Sequence, residues 1–149
     1  MAIKKSKRMQ TLKKLAEWRE REAAAAVSQQ QIHLTAEQQQ LKNLQSYYQD
    51  YLVTIDQQKQ LARSELLNYR NFCQQLAHTI GSGKQKVSSM QRELDNRKNN
   101  WFLCRNKRQV LEELILRCTQ EENHVLQKEL EKEIDDIWLA QRHHSQPSP

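Results

Sequence analysis

The stretch Tyr69-Arg-Asn-Phe-Cys73-Gln-Gln-Leu76-Ala-His-Thr-Ile80-Gly-Ser-Gly83-Lys-Gln-Lys-Val87-Ser-Ser-Met90-Gln-Arg-Glu-Leu94 decides the fold. Its numbered positions alternate in steps of four and three, which is the a/d spacing of a heptad repeat on an α-helix. Leu66 extends the pattern backwards. Forwards it runs through Arg97, Trp101, Cys104, Arg108, Leu111, Ile115, Cys118, Glu122 and Val125, and only Gly83, Arg97, Arg108 and Glu122 break its apolar character. A repeat of seven held in one register over this distance specifies a left-handed supercoil. It predicts a second helix over about 64–141, on the order of 115 Å long at 1.5 Å per residue. Gly81 and Gly83 weaken that helix by ~1 kcal/mol each against Ala. Because the phase is the same on either side, a bend is the most they predict; a third helix starting at Lys84 is the alternative.

A first track precedes it. Val27, Leu34, Leu41, Tyr48 and Ile55 fall on one heptad position, and Ala23, Gln30, Glu37, Leu44 and Tyr51 on its companion. Leu12, Leu15 and Ala16 carry the stripe back with a small drift, giving a first helix over about 8–57. Between the tracks, Asp56 to Ser64 is polar apart from Leu61, and a turn at about 58–63 forces the helices antiparallel. The fold expected is therefore all-α: one single-domain antiparallel two-helix coiled coil over 1–149, a helical hairpin whose second helix is the longer, with a disordered tail at 142–149. Residues whose numbers sum to roughly 122 should meet, Tyr48 near Leu76, Leu34 near Met90 and Ala23 near Trp101.

The same arithmetic leaves two apolar surpluses. The first helix runs out near Arg8, so residues from about 121 to 141 overhang it. They keep a stripe of Leu126, Leu130, Ile134, Ile137 and Trp138 on an acidic segment. An unpaired stripe of this kind marks a protein interface; a fold-back of Met1–Arg8 onto it is the structural alternative. Near the turn, Tyr47 and Phe72 flank the seam where charged residues are usual. With Gln40, Leu44, Tyr51 and Leu76 they make either a thicker seam or a docking ridge.

Composition agrees with few, long helices. Gly81, Gly83, Pro147 and Pro149 are the only glycines and prolines of 149 residues, so residues 1–80 lack the usual turn formers. A mean hydropathy of -0.98 is too polar for a thick core. No run nears the ~20 apolar residues of a membrane span, and the basic start has no apolar run behind it to make a signal peptide. Three cysteines without CxxC spacing suit a reducing compartment. Cys73, Cys104 and Cys118 all fall on the seam, as small buried hydrophobes rather than metal ligands. The net charge of +6 is spread among 18 acids, a solvated mixed-charge surface rather than a nucleic-acid footprint.

No catalytic constellation appears. Gly81-Ser82-Gly83-Lys84 imitates a phosphate loop, yet His78 replaces its first glycine and Gln85 its magnesium-binding hydroxyl residue. His33, His78, His124, His143 and His144 make no zinc-type pair. The cluster Lys4, Lys5, Lys7, Arg8, Lys13 and Lys14 reads as solvated, paired with the acidic overhang, or facing an acidic partner. Two packed helices offer no substrate cavity, so the expectation is a protein binder with no enzyme activity, cofactor or metal.

Several segments, taken in order, resemble one family. They are Arg8-Met-Gln-Thr-Leu-Lys-Lys-Leu-Ala, Leu41-Lys-Asn-Leu44 with Tyr47-Tyr48-Gln-Asp-Tyr51, Leu67-Asn-Tyr69-Arg-Asn-Phe72, Trp101 and Leu111-Glu-Glu-Leu114. Together they resemble the FliJ family of the bacterial flagellar type III export apparatus. The resemblance implies a cytoplasmic stalk, peripheral to the inner face of the cell membrane through its protein partners. Those partners are a hexameric export ATPase ring, the membrane export gate and export chaperones. It implies that Leu126, Leu130, Ile134, Ile137 and Trp138 face the ring, and that Gln40, Leu44, Tyr47, Tyr51, Phe72 and Leu76 face the gate. Thr79 and Gly83 continue that second face with small residues. The rival readings are the equivalent stalk of a virulence injectisome and a generic homodimerising scaffold.

Overall fold

Heptad patterning with no helix breaker before Gly81 leaves the backbone little choice but helix, and helix is what forms. The computed structural model describes residues 4–57 and 62–145. Within them lie two helices, α1 at Lys5–Gln57 and α2 at Arg63–Ser145, and no strand is present among the described residues. The segment expected to hold the turn lies largely outside the described residues, as do 146–149.

Both glycines sit inside α2, which continues unbroken past Lys84, so a separate third helix there is ruled out. At the other end α2 runs through Ser145 rather than stopping near 141. Its last turn carries Arg142, His143 and His144, cations that favour a helix C-terminus by interacting with its dipole. The start of α1 at Lys5 is likewise earlier than 8.

The contacts divide into two compact units to which both helices contribute. In the unit Arg21–Leu103, Ala23, Gln30 and Leu34 of α1 are buried, as are Cys73, Leu76, Ile80 and Leu94 of α2. Leu34 and Leu94 are each 1% exposed, and each such burial stabilises by about 1.5–3 kcal/mol. Polar groups cross the same seam. Gln30 Nε2 donates to the Met90 carbonyl at 3.1 Å, Arg97 Nη1 donates to the Ala26 carbonyl at 3.0 Å, and Lys86 pairs with Glu37 at 2.8 Å. Rising numbers on α1 thus meet falling numbers on α2.

In the unit Met1–Glu20 with Cys104–Pro149, Ala16 of α1 and Ile115 and Cys118 of α2 are buried. Cys118 Sγ donates to Met9 Sδ at 3.7 Å, and Arg108 bridges Glu20 of α1 and Glu112 of its own helix. The two carboxylates hold the Arg108 guanidinium pKa above its ordinary value, the Glu20 hydrogen bond first. Leu12 and Leu15 are 53% and 43% exposed and lie off the seam. The inward residues are Ser6, Met9, Lys13, Ala16 and Glu20. They are the positions reached by counting back in sevens from Val27 and Ala23, so the heptad persists to the helix start without drift.

Candidate protein-docking surfaces

α1 does not run out at Arg8 but starts at Lys5. It is held further along α2 by one carboxylate. Glu122 accepts hydrogen bonds from the Ser6 backbone N–H at 3.1 Å and the Ser6 hydroxyl at 2.7 Å. The first N–H groups of a helix have no partner within it, and an acceptor from a neighbouring element satisfies them. The same bonds, the side-chain one first, hold the Glu122 pKa below the ordinary carboxylate value. Lys4, Glu122, Val125, Leu126 and Glu129 line one shallow hollow there. Accompaniment of α2 by α1 therefore reaches about Leu126 rather than stopping near 121.

Beyond that point α2 stands alone. Every described residue from Asn123 to Ser145 is exposed. Leu126, Leu130, Ile134, Ile137 and Trp138, the five stripe residues read from the sequence, are 48–65% exposed, and Val125 and Leu139 join them at 55% and 56%. So many large apolar groups on one helical segment without cover is the pattern of an interaction surface. No described residue folds back to shield it.

The second surface, within the unit Arg21–Leu103, is built differently. Tyr51 of α1 is its hub, with ring centroids 6.0 Å from Tyr47, 5.3 Å from Tyr69 and 4.8 Å from Phe72. All three pairs are tilted, the arrangement aromatic quadrupoles favour. Desolvation raises the Tyr51 phenol pKa above its ordinary value, with smaller contributions from Tyr69, Tyr47 and Cys73. Of the six ridge residues, Gln40, Tyr47 and Phe72 are exposed, Leu44 and Tyr51 half-buried, and Leu76 is only 8% exposed. Leu76 therefore serves the seam and the aromatics sit beside it. Tyr69, not among the six, is a full member of the cluster, and its heptad position three residues from Phe72 is the signal that marks it.

The other sequence features find plain places. Cys73 and Cys118 are buried and Cys104 half-buried, all three as free thiols. Among the described residues no group of His, Cys, Asp and Glu gathers that could hold a metal. Gly81 and Gly83 are helical, so no phosphate-cradling loop forms at them. No helix among the described residues is long and apolar enough to cross a membrane. Leu12 and Leu15, displaced from the seam, line a shallow cleft with Ala16, Cys104 and Leu111.

The family model for the flagellar FliJ protein matches residues 5–148, nearly the whole chain. No curated protein matches significantly, and no solved structure does.

Proposed function

Since the chain belongs to the flagellar FliJ family and is thereby a component of the flagellar export apparatus, we propose that it is the apparatus's non-enzymatic stalk. In this reading the two helices form one antiparallel coiled coil. The uncovered segment of α2 enters the hexameric export ATPase ring, with Leu126, Leu130, Ile134, Ile137 and Trp138 as its contacts. The surface around Tyr51, with Gln40, Leu44, Tyr47, Phe72 and Leu76, meets the membrane export gate, and export chaperones bind the same protein. The stalk works in the cytoplasm at the inner face of the membrane, held there by its partners alone.

The observation that carries the reading is the exposure of α2 from Asn123 onward with its apolar stripe intact. A helix that needed only its own chain would end where α1 begins. The mechanism is linkage. A stalk that binds the assembled ring and not free ATPase subunits shifts subunits into rings, so ATP turnover rises by mass action.

The test is ATP hydrolysis by the cognate export ATPase, titrated with the full chain and with a version truncated after Val125. Stimulation by the full chain and not by the truncated one is expected. Equal stimulation by both would remove the overhang from the ring, and none by either would reject the stalk.

A further inference from the structure

The uncovered part of α2 is not an extension of the seam. Continued in sevens past Glu122 and Val125, the seam positions become Glu129, Lys132 and Asp136. Burying charged groups there against an apolar helix would carry a desolvation cost, so the sequence of this segment does not continue an apolar seam. The apolar residues take a new period instead. Leu126, Leu130, Ile134 and Ile137 are separated by steps of four, four and three, eleven positions from first to last. An eleven-residue repeat gives ~3.67 residues per turn, so this stripe does not follow the left-handed path of the heptads. At 3.6 residues per turn its centre lies about 80° round the α2 axis from the seam line that ends at Glu122.

Two edges bound that stripe. Glu129 and Glu133 continue the line of the seam on one side, and Glu131 and Asp135 lie on the opposite side of the helix, with Lys128 and Arg142. All are exposed. With Lys132 among its positions and Lys4 lining a hollow beside Glu129, this edge still carries the larger share of acid through Glu129, Glu133 and Asp136, a ledge next to a broad apolar face where α1 gives out. An acidic ledge beside apolar side chains recognises cations set beside an apolar patch.

We infer that the uncovered α2 segment docks a protein surface bearing an apolar patch for Leu130, Ile134, Ile137 and Trp138 and Lys or Arg side chains opposite Glu129 and Glu133. This rests on the stalk reading, in which that surface lines the ATPase ring, and adds the chemistry and the side from which it approaches. The partner meets α2 on a face turned away from the seam.

The experiment compares two charge-matched variants of the full chain, Glu129→Lys with Glu133→Lys and Glu131→Lys with Asp135→Lys, in ATPase titrations from low to high salt. Charge pairs across an interface act on encounter and fade with ionic strength. The ledge pair should raise the concentration for half-maximal stimulation by about tenfold at low salt, converging on the parent at high salt, while the opposite pair shifts it by less than about twofold. Equal shifts from both pairs, or none from the ledge pair, overturn the inference while leaving the stalk reading standing. Unchanged stimulation after truncation at Val125 takes the overhang out of the ring and overturns the inference with it, while no stimulation by either chain rejects the stalk reading itself. Helix content by circular dichroism, expected unchanged for both variants, guards against a folding effect.

Discussion

The segment from Asn123 to Ser145 and the cluster around Tyr51 both present apolar groups beside or beyond a paired seam, yet they are held in opposite ways. The α2 segment has no second helix against it and exposes all of its large apolar side chains. The Tyr51 cluster is cross-braced by rings from both helices, with Leu76 buried beneath it. The difference teaches where binding and stability separate. A residue of the first region can be removed without unmaking any contact the chain needs for folding. A residue of the second serves seam and surface together.

That contrast can be broken most sharply at its extremes. Ile137→Ala with Trp138→Ala should abolish most of the ATPase stimulation while leaving the thermal midpoint unmoved, since exposed substitutions of this kind change stability by no more than about 0.5 kcal/mol. A drop in the midpoint would show that the stripe is covered within the chain after all. Leu34→Ala is the converse. At 1% exposure its removal should cost about 2–5 kcal/mol in denaturant unfolding, with the stimulation of whatever remains folded unchanged. Tyr51→Ala should fall between the two. It removes three ring contacts, each worth about 0.5–1.5 kcal/mol beyond burial, and should weaken gate binding as well as stability. Loss of either one alone would dissolve the dual role given to that cluster.

Smaller effects sharpen the picture. A Cβ added at Gly81 meets nothing within 4 Å, whereas one at Gly83 would lie 3.1 Å from Leu41 Cδ1. Gly81→Ala should therefore stabilise by nearly the full ~1 kcal/mol of helix propensity, and Gly83→Ala by less, as Leu41 must give way. Equal gains would mean that Leu41 yields freely to the added methyl despite the 3.1 Å approach. The Glu122 contact adds a pH dependence. Its folded pKa lies below the unfolded value, so its contribution is present above the unfolded carboxylate range and is lost as pH falls through the folded pKa. Amide exchange in the first turn of α1 should be protected at neutral pH and lose that protection on acidification, with Glu122→Gln showing the loss at neutral pH already.

How much of this was legible depended on what kind of signal each part leaves. The α2 seam was readable residue by residue because the heptad spacing fixes which side of the helix turns inward, whatever sits there. Arg97 and Arg108 occupy seam positions as firmly as Leu94 does, by reaching carbonyl or carboxylate partners. Apolar character misleads where it departs from that spacing, as at Leu12 and Leu15, which are exposed off the seam. The extent of α1 was hidden for another reason. A glutamate side chain capping a helix more than a hundred residues away leaves no local pattern, and the Ser6–Glu122 contact emerges only from the fold. The apolar stripe of α2 and its offset from the seam are both plain in the sequence, but that the stripe lacks cover shows only in the fold.

A photo-crosslinking side chain placed at Ile137, and separately at Phe72, in the assembled export apparatus tests the division of labour most directly. The account predicts that the probe at position 137 captures the export ATPase and not the gate, while the probe at 72 captures the gate and not the ATPase. Capture of the ATPase from position 72 with none from 137 would contradict it.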